Sequence, residues 1–384
     1  MEWFDLGSAL IFYAIVLIFV FRNRSKFQKY YGIIFLYKMK LGLKQMYDFG
    51  RKYEFALKVF ATIGIIVGFY FMFLLPVMLT ESAVKILTKE VTTAQVGLLI
   101  PGVRLPGSTF FVPFWYGIIS LIIIAFIHEF GHAIVGAAEG VKPKNDGFGF
   151  LFFIPVFFVE FDEKKLLKKS KMQRMRISAA GPMANLVLFA FCFLLVSYVM
   201  NPVVELVFEA DGVLITGVSD GFPAKESGLT YDLVVTSVNS TVVSGSTAFK
   251  EYLDATSPGD QVVLSTSEGD FNVFLTESPD NASRAYMGVT FTDNIEKTSF
   301  GEKIWVFSDL LIMFYKLLTW IGFLSLAVGA VNFVPLWIAD GGQIFHNTLL
   351  YFVKNEGLAA KISSLFFWFV TGLFIINLVG PFIL

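Results

Sequence analysis

The feature that most constrains this chain is a series of long apolar segments with few charged residues. A helix that crosses the hydrocarbon core of a bilayer needs about 20 predominantly apolar residues. We predict six such crossings in the 384-residue sequence. Their approximate positions are 6–21, 60–79, a span that begins near 116, 177–200, 321–337 and 363–384.

The composition excludes several classes of protein. Hydrophobic residues make up 55% of the chain and charged residues 16%, whereas a soluble globular domain has about 25% charged residues. The net charge of −1 gives no overall electrostatic attraction to nucleic acid, so we expect no nucleic-acid partner. Cys192 is the single cysteine, which excludes an intramolecular disulfide and cysteine-rich zinc modules. We therefore expect a multi-pass protein of the cell membrane, with the lipid bilayer as its surroundings.

Basic residues indicate which loops face the cytoplasm. They follow the first apolar segment and precede the fourth, and loops rich in lysine and arginine stay on the cytoplasmic side. The residues concerned are Arg22, Arg24, Lys26, Lys29, Lys164, Lys165, Lys168, Lys169, Lys171, Arg174 and Arg176. With six crossings, this pattern predicts that residues 201–300 lie outside the cytoplasm.

Residues 201–300 differ in composition from the rest of the chain. Short alternating runs of Ser, Thr, Val and Gly are separated by turn signals such as Pro258-Gly259-Asp260, and acidic residues predominate. This pattern predicts a soluble, β-rich insert. The chain then divides into an N-terminal span with a basic cytoplasmic segment (1–59), the first part of a membrane core (60–200), the insert (201–300) and the second part of the core (301–384).

The third apolar segment runs into His128-Glu129-Phe130-Gly131-His132. Two histidines four residues apart project from one face of a helix and can bind one zinc ion, while Glu129 lies beside a metal-bound water. The alternative is a chance pair of histidines packed in a helix bundle. Polar groups this deep in a membrane are costly without a partner or a function.

A catalytic zinc site usually has three protein ligands and an open position. Asp340 is the favoured third ligand, because it is a lone carboxylate at the end of an apolar span and two glycines follow it. The alternatives are that Asp340 caps the following helix, or that His346, the remaining histidine, is the ligand.

Three motifs together resemble the site-2 proteases, which are intramembrane zinc metalloproteases. They are His128 to His132, Arg176 with Ala180-Gly181-Pro182-Met183-Ala184-Asn185, and Asn332-Phe333-Val334-Pro335 leading to Asp340-Gly341-Gly342. One departure concerns the usual Pro-Leu-Asp-Gly arrangement. Here Trp337, Ile338 and Ala339 intervene between Leu336 and Asp340.

The resemblance implies one Zn²⁺ per chain, bound by His128, His132 and Asp340, with Glu129 as the general base. It implies an endopeptidase that cleaves transmembrane helices of single-span proteins near the cytoplasmic side. Asn185 and Asn332 are then expected to bind the substrate backbone or to stabilise an oxyanion. The alternative for both asparagines is hydrogen bonding between helices.

Two further segments bear on the mechanism. Residues 147–161 are apolar, contain Pro155 and are too short to span, which predicts a re-entrant β-hairpin whose edge strand pairs with an unwound substrate. The alternative is a surface loop anchored by aromatic residues. The insert resembles a PDZ domain at 212–218, 221–224, 227–229 and Asp232, which implies either binding of a peptide C-terminus or exclusion of bulky ectodomains.

The predicted fold is an α-helical polytopic membrane protein of about six transmembrane helices, with a re-entrant β-hairpin and an inserted soluble PDZ-like α+β domain. Short loops suggest a prokaryotic, archaeal-type membrane. Two other functions remain open from the sequence. One is a catalytically inactive membrane chaperone or scaffold, and the other is a zinc transporter or sensor.

Overall fold

A computed structural model describes residues 2–30, 34–40, 42–90, 96–97, 100–103, 111–151, 154–279 and 281–383. The chain forms two compact units. The first, which we call the membrane unit, comprises Met1–Val196 and Lys316–Leu384, and the second, the inserted unit, comprises Ser197–Tyr315.

The helices of the described ranges are α1 (Glu2–Arg22), α2 (Leu43–Lys52), α3 (Glu54–Leu87), α4 (Phe114–Ala138), α5 (Glu163–Leu167), α6 (Lys171–Leu195), α7 (Asn201–Val207), α8 (Pro223–Glu226), α9 (Ser246–Asp254), α10 (Ser299–Lys303), α11 (Trp305–Asn332), α12 (Asp340–Phe352) and α13 (Glu356–Ile383). A π-helical turn, Val196–Met200, joins α6 to α7. The strands are β1 (Phe27–Tyr30), β2 (Ile34–Met39), β3 (Pro143–Leu151), β4 (Ile154–Phe161), β5 (Phe208–Val218), β6 (Val234–Val238), β7 (Thr241–Val242), β8 (Gln261–Thr266), β9 (Gly269–Phe274), β10 (Thr276–Ser278), β11 (Asn281–Tyr286) and β12 (Val289–Lys297).

Six of the described helices are long and apolar enough to cross a membrane, which confirms the predicted number of candidate spans. They are α1, α3, α4, α6 with its continuation, α11 and α13. The predicted span over 321–337 was wrong at both ends, because α11 is one 28-residue helix that begins at Trp305 and ends at Asn332. Pro335 explains why α11 ends at Asn332, because a proline disfavours helical backbone at the residue before it.

The predicted hairpin over 147–161 is present as β3 and β4, but it belongs to a larger sheet. The strand order is β1-β2-β3-β4, and every neighbouring pair is antiparallel. The strands β1 and β2 lie in the predicted basic cytoplasmic segment, where no strands were predicted. The position of this sheet relative to a bilayer stays a prediction.

Two glycines explain why β2 joins the hairpin. A Cβ atom added at Gly147 would lie 2.1 Å from the Tyr37 carbonyl oxygen, and one at Gly149 would lie 2.3 Å from that of Phe35. A side chain at either position of β3 would therefore push β2 away. Lys38 also reaches across β3 to Glu160 of β4, at 2.7 Å.

Small residues let α4 pack closely on α6. Gly131 of α4 faces Ala180 of α6, and a Cβ atom at Gly131 would lie 2.7 Å from the Ala180 carbonyl oxygen. Contacts between small residues are a common way for membrane helices to associate, because the lipid tails give no hydrophobic driving force. This contact determines how near the histidine-bearing face of α4 comes to α6.

A buried ion pair ties the end of α4 to α6 and α3. The Arg176 Nη1 atom lies 3.1 Å from Glu139 Oε1, and Gln173 Nε2 donates to the other carboxylate oxygen at 2.9 Å. Arg176 Nε also donates to the Thr62 hydroxyl at 2.9 Å. The Glu139 side chain is only 1% exposed, so this carboxylate depends on these partners.

The inserted unit is β-rich, as predicted. Its main sheet has the order β12-β5-β6-β8-β9, and β7 pairs with β6. Along β8 the side chains of Val262 and Leu264 are fully buried, while Gln261 is exposed. This alternation is typical of a strand with one face on a core.

We expect Glu139→Ala to lower the free energy of unfolding by about 3 kcal/mol, because it leaves Arg176 largely buried without its counter-charge. Glu81→Ala is the control, since it breaks an exposed pair with Lys85 and should cost about 0.5 kcal/mol or less. Denaturant unfolding in detergent micelles measures both values. Equal losses would show that the Glu139 network contributes no more than a surface pair.

Candidate metal centre

Three candidate ligand atoms from distant parts of the chain meet in the membrane unit. His128 Nε2 lies 3.1 Å from Asp340 Oδ2, His132 Nε2 lies 3.4 Å from the same oxygen, and the two Nε2 atoms are 3.2 Å apart. The histidines lie one turn apart on α4, whereas Asp340 is the first residue of α12. The sequence-predicted set of His128, His132 and Asp340 is therefore brought together.

The spacing of these atoms fits one zinc ion. Zinc is bound by nitrogen at about 2.0–2.1 Å and by carboxylate oxygen at about 2.0–2.2 Å, so tetrahedral ligand atoms lie roughly 3.3 Å apart. The three observed separations are close to this value. Two imidazoles and one carboxylate also match the donors of catalytic zinc sites, which keep a fourth position open.

The backbone of α6 sets the tautomer of His132. Its Nδ1 atom lies 2.7 Å from the Ile177 carbonyl oxygen, which can only accept a hydrogen bond. The Nδ1 atom of His132 therefore carries the proton, and Nε2 has a free lone pair for a metal.

Asn185 contacts the Nδ1 atom of His128, as the Ile177 carbonyl contacts that of His132. Its side-chain amide lies 3.0 Å from His128 Nδ1, and Asn185 is fully buried. As placed, the amide nitrogen faces the ring, and the Oδ1 atom of Asn185 has no partner in the described part of the chain. Exchanging the amide oxygen and nitrogen lets Oδ1 accept from Nδ1–H, which leaves His128 Nε2 free for a metal.

Glu129 is oriented by the β-sheet. Its Oε2 atom accepts a hydrogen bond of 2.8 Å from the Val159 N–H of β4. This N–H points away from β3. In an antiparallel ladder, every second residue directs its N–H and carbonyl groups to the same side, so the backbone groups of Phe157 also point away from β3. They lie on the edge of β4 that pairs with no strand of the described sheet. The carboxylate beside the histidines thus lies at the open edge of β4.

Gly181 is part of the site, although only Asn185 of its motif was predicted to have a role there. A Cβ atom there would lie 2.4 Å from His132 Nε2 and 2.7 Å from His128 Nε2. The space in front of the two ligand nitrogens therefore exists only because residue 181 is glycine. A glycine inside a helix costs about 1 kcal/mol relative to alanine. A glycine in the middle of a predicted membrane helix was therefore the sequence signal that a neighbouring group needs the space.

Asp340 reaches the histidines through a tight turn. A Cβ atom at Gly341 would lie 2.1 Å from the Phe333 carbonyl oxygen, and one at Gly342 would lie 2.2 Å from that of Leu336. The residue at the N-cap of α12 is Ala339, so the capping alternative for Asp340 is wrong.

Two other candidates form hydrogen bonds with residues outside the His128, His132 and Asp340 cluster. The His346 Nδ1 atom hydrogen-bonds with the Ser363 hydroxyl at 3.1 Å, and His346 is not one of the three residues whose ligand atoms cluster. The Asn332 side chain donates to the Val328 carbonyl of its own helix at 3.0 Å. A role of Asn332 in substrate binding stays a prediction.

Comparisons with known proteins identify one peptidase family. The sequence model of peptidase family M50 matches residues 116–379. An uncharacterized protein of Methanocaldococcus jannaschii is 29% identical over 50% of this chain and 52% of its own length. A membrane-bound transcription factor site-2 protease homolog of Arabidopsis thaliana is 28% identical over 38% of this chain and 28% of its own length. The match thus spans about half of the first relative and less of the second.

One solved structure is similar to a smaller part of the chain. It is the PDZ domain of the SdrC-like protein from Listeria monocytogenes, with 23% identity and a TM-score of 0.19. The similarity covers 21% of this chain and 87% of that domain.

We expect Gly181→Ala to abolish zinc binding, because the added methyl group would occupy the space in front of both histidine nitrogens. Gly372→Ala is the control, since a Cβ atom there meets no atom within 4 Å. Zinc content after purification, measured by atomic emission, distinguishes the two variants. Full zinc content in Gly181→Ala would contradict this geometry of the site.

We expect Asn185→Ala to lower zinc affinity by roughly 10–100-fold, the usual effect of removing a hydrogen-bond partner of a metal-bound histidine. Asn332→Ala should leave zinc affinity unchanged, because Asn332 bonds to its own helix. Competition with a chelator of known affinity measures both. A similar loss of zinc affinity in the two variants would contradict a specific role of Asn185 in orienting His128.

Proposed function

Because the chain belongs to peptidase family M50, we propose that it is a zinc-dependent endopeptidase that cleaves membrane proteins within or near a transmembrane helix. The observation that carries this proposal is the meeting of His128, His132 and Asp340 next to Glu129 inside a bundle of apolar helices. Substrates would be single-span proteins cut near the cytoplasmic side.

The side chains of the site have complementary roles in this proposal. A bound zinc ion supplies Lewis acidity, which polarises a carbonyl group and makes water more acidic. Glu129 takes a proton from the attacking water and gives it to the amine that leaves the scissile bond. The Val159 N–H holds Glu129 in place through one oxygen, so the other oxygen is available for this transfer.

The free edge of β4 is the proposed binding site for the unwound substrate. A transmembrane helix hides its carbonyl groups in its own hydrogen bonds, and pairing with a strand would expose one of them. Within the described sheet, β4 has a partner on one side only. Phe157 offers a backbone donor and acceptor on the open side, whereas Pro155 has no N–H and limits the pairing register.

The proposed orientation follows from the charges. Basic residues lie after α1 and around the start of α6, which supports a cytoplasmic position for those ends. The inserted unit would then lie outside the cytoplasm, where a PDZ-like domain could bind a peptide C-terminus or exclude large ectodomains. The protein would act in the cell membrane, surrounded by lipid.

We expect Glu129→Gln to retain zinc and to lose cleavage of a model transmembrane substrate, by at least about 100-fold, because the amide cannot accept the proton. Purified protein with a fluorescently labelled substrate in detergent or liposomes gives the rate. Normal cleavage by Glu129→Gln would overturn the mechanism. Zinc retained without any cleavage by the wild-type protein would favour a scaffold, transporter or sensor.

The ligands are tested separately through metal content. His128→Ala and Asp340→Ala are expected to lose zinc, because a site with two remaining ligands binds it weakly. His346→Ala is the matched control and should retain zinc, since its Nδ1 atom bonds to Ser363. Undiminished zinc in either of the first two variants removes that residue from the ligand set.

A further inference from the structure

A small cavity of about 90 Å³ lies beside Glu129 in the membrane unit. Its walls come from α2, α4 and the strands β2, β3 and β4. Two of its lining residues, Glu129 and Val159, form the hydrogen bond that orients the proposed general base. Because the Val159 N–H points to the free edge of β4, the cavity extends to that edge.

The cavity follows one face of the four-stranded sheet. Met39 of β2, Asp146 of β3 and Val159 of β4 are successive cross-strand partners, and all three line the cavity. Cross-strand partners project from the same face of a sheet, and so do residues two apart on one strand. Phe157, which also lines the cavity, therefore projects from this face. Met39 lies at the inner end of the row, and Val159 lies next to the free edge.

Aromatic rings form the wall on the side of α4. Phe126 lies edge-on to Phe157, with the ring centroids 6.1 Å apart, and it stacks on Phe130 at 6.2 Å. Phe130 also contacts Phe49 of α2, at 6.5 Å between ring centroids. These contacts connect α2, α4 and β4, so three elements of secondary structure hold the walls of the cavity.

A substrate strand on the free edge of β4 would direct a side chain towards this cavity. Phe157 offers a backbone N–H and carbonyl group on that edge, whereas the Val159 N–H is bonded to Glu129. The substrate residue that pairs with Phe157 projects its side chain from the same face as Phe157. That face bears the cavity, so this side chain would enter between β4 and α4.

The size and the lining of the cavity favour an aliphatic side chain. A cavity of about 150 Å³ holds one benzene ring, so the smaller space here disfavours an aromatic side chain, and alanine would leave contacts with the walls unmade. Most of the lining side chains are those of phenylalanine, methionine and valine. The two lining carboxylates already have polar interactions, since Glu129 accepts from Val159 and Asp146 has one of its own.

We propose that this cavity is a substrate subsite for the side chain of valine, leucine or isoleucine, from the residue that pairs with Phe157 close to the scissile bond. The inference rests on the proposed endopeptidase function. It assigns to Met39 and Met46 the role of specificity-determining residues, because they line the cavity from β2 and α2. The occupant is a substrate side chain, because Glu129 and β4, the two elements that would act on the substrate, both line the cavity.

Two variants enlarge the cavity from different elements. Met39→Ala shortens a side chain of β2 and Met46→Ala shortens one of α2, and neither residue is a candidate metal ligand. Met78→Ala is the matched control, since Met78 is 54% exposed on α3 and is not part of the lining. All three variants should retain the zinc content of the wild-type protein.

The experiment measures kcat/KM for a model transmembrane substrate in which each residue around the mapped cleavage site is changed in turn to Ala, Leu and Phe. We expect wild-type protein and Met78→Ala to prefer Leu over both Ala and Phe at one position by about tenfold or more. Met39→Ala and Met46→Ala should raise the ratio of Phe to Leu cleavage at that same position by about tenfold, because the enlarged cavity admits the ring. The ratios at the other positions should stay unchanged.

The outcomes separate this inference from the proposed function. If zinc-loaded wild-type protein cleaves no substrate, the proposed function fails and the subsite fails with it. If the protein cleaves but shows no preference for Leu at any position, or if both methionine variants keep the wild-type ratios, the subsite alone is wrong. Changes at different positions in the two variants would also overturn it. Either variant decides the question if the other does not fold.

Discussion

The close approach of α4 to α6 is the constraint on which the candidate site depends. Gly131 allows α4 to rest against the Ala180 carbonyl group, and Gly181 leaves room for the two histidine rings. Helices held farther apart by larger side chains would move the rings away from Ile177 and Asn185. The histidines would then lose the hydrogen bonds that fix their tautomers.

The polar groups of the site are positioned by α6, by β4 and by the turn before α12. His132 is held by the backbone of α6, His128 by the Asn185 side chain, and Glu129 by the backbone of β4. Asp340 depends on a turn that two glycines allow. Groups fixed in this way do not need to reorganise when charge develops during a reaction, which is how preorganised sites stabilise transition states. This arrangement requires helix contacts that tolerate little change in side-chain size.

Much of the candidate site could be predicted because its main signals are local. His128 and His132 lie on one helical face through their spacing alone, and Asp340 was recognised from its position between an apolar span and two glycines. Other partners gave no such signal. The Ile177 carbonyl and the Val159 N–H are backbone groups, so the identity of their side chains says nothing about their role. The strands β1 and β2 were missed because they are short and lie in a basic segment, and β2 is held in place by the glycines of β3.

The amino-acid sequence by itself determined the six apolar helices, the β-rich insert and the histidine-bearing face of α4. These features follow from the length of apolar runs and from the repeats of helix and strand, which involve only neighbouring residues. Tertiary structure alone decided that Asp340 meets histidines about 210 residues away, that Gly181 faces the two histidine rings, that β2 extends the hairpin and that a cavity lies beside Glu129. The reason is that each of these depends on how closely separate elements pack, and that distance is set by side chains far apart in the chain.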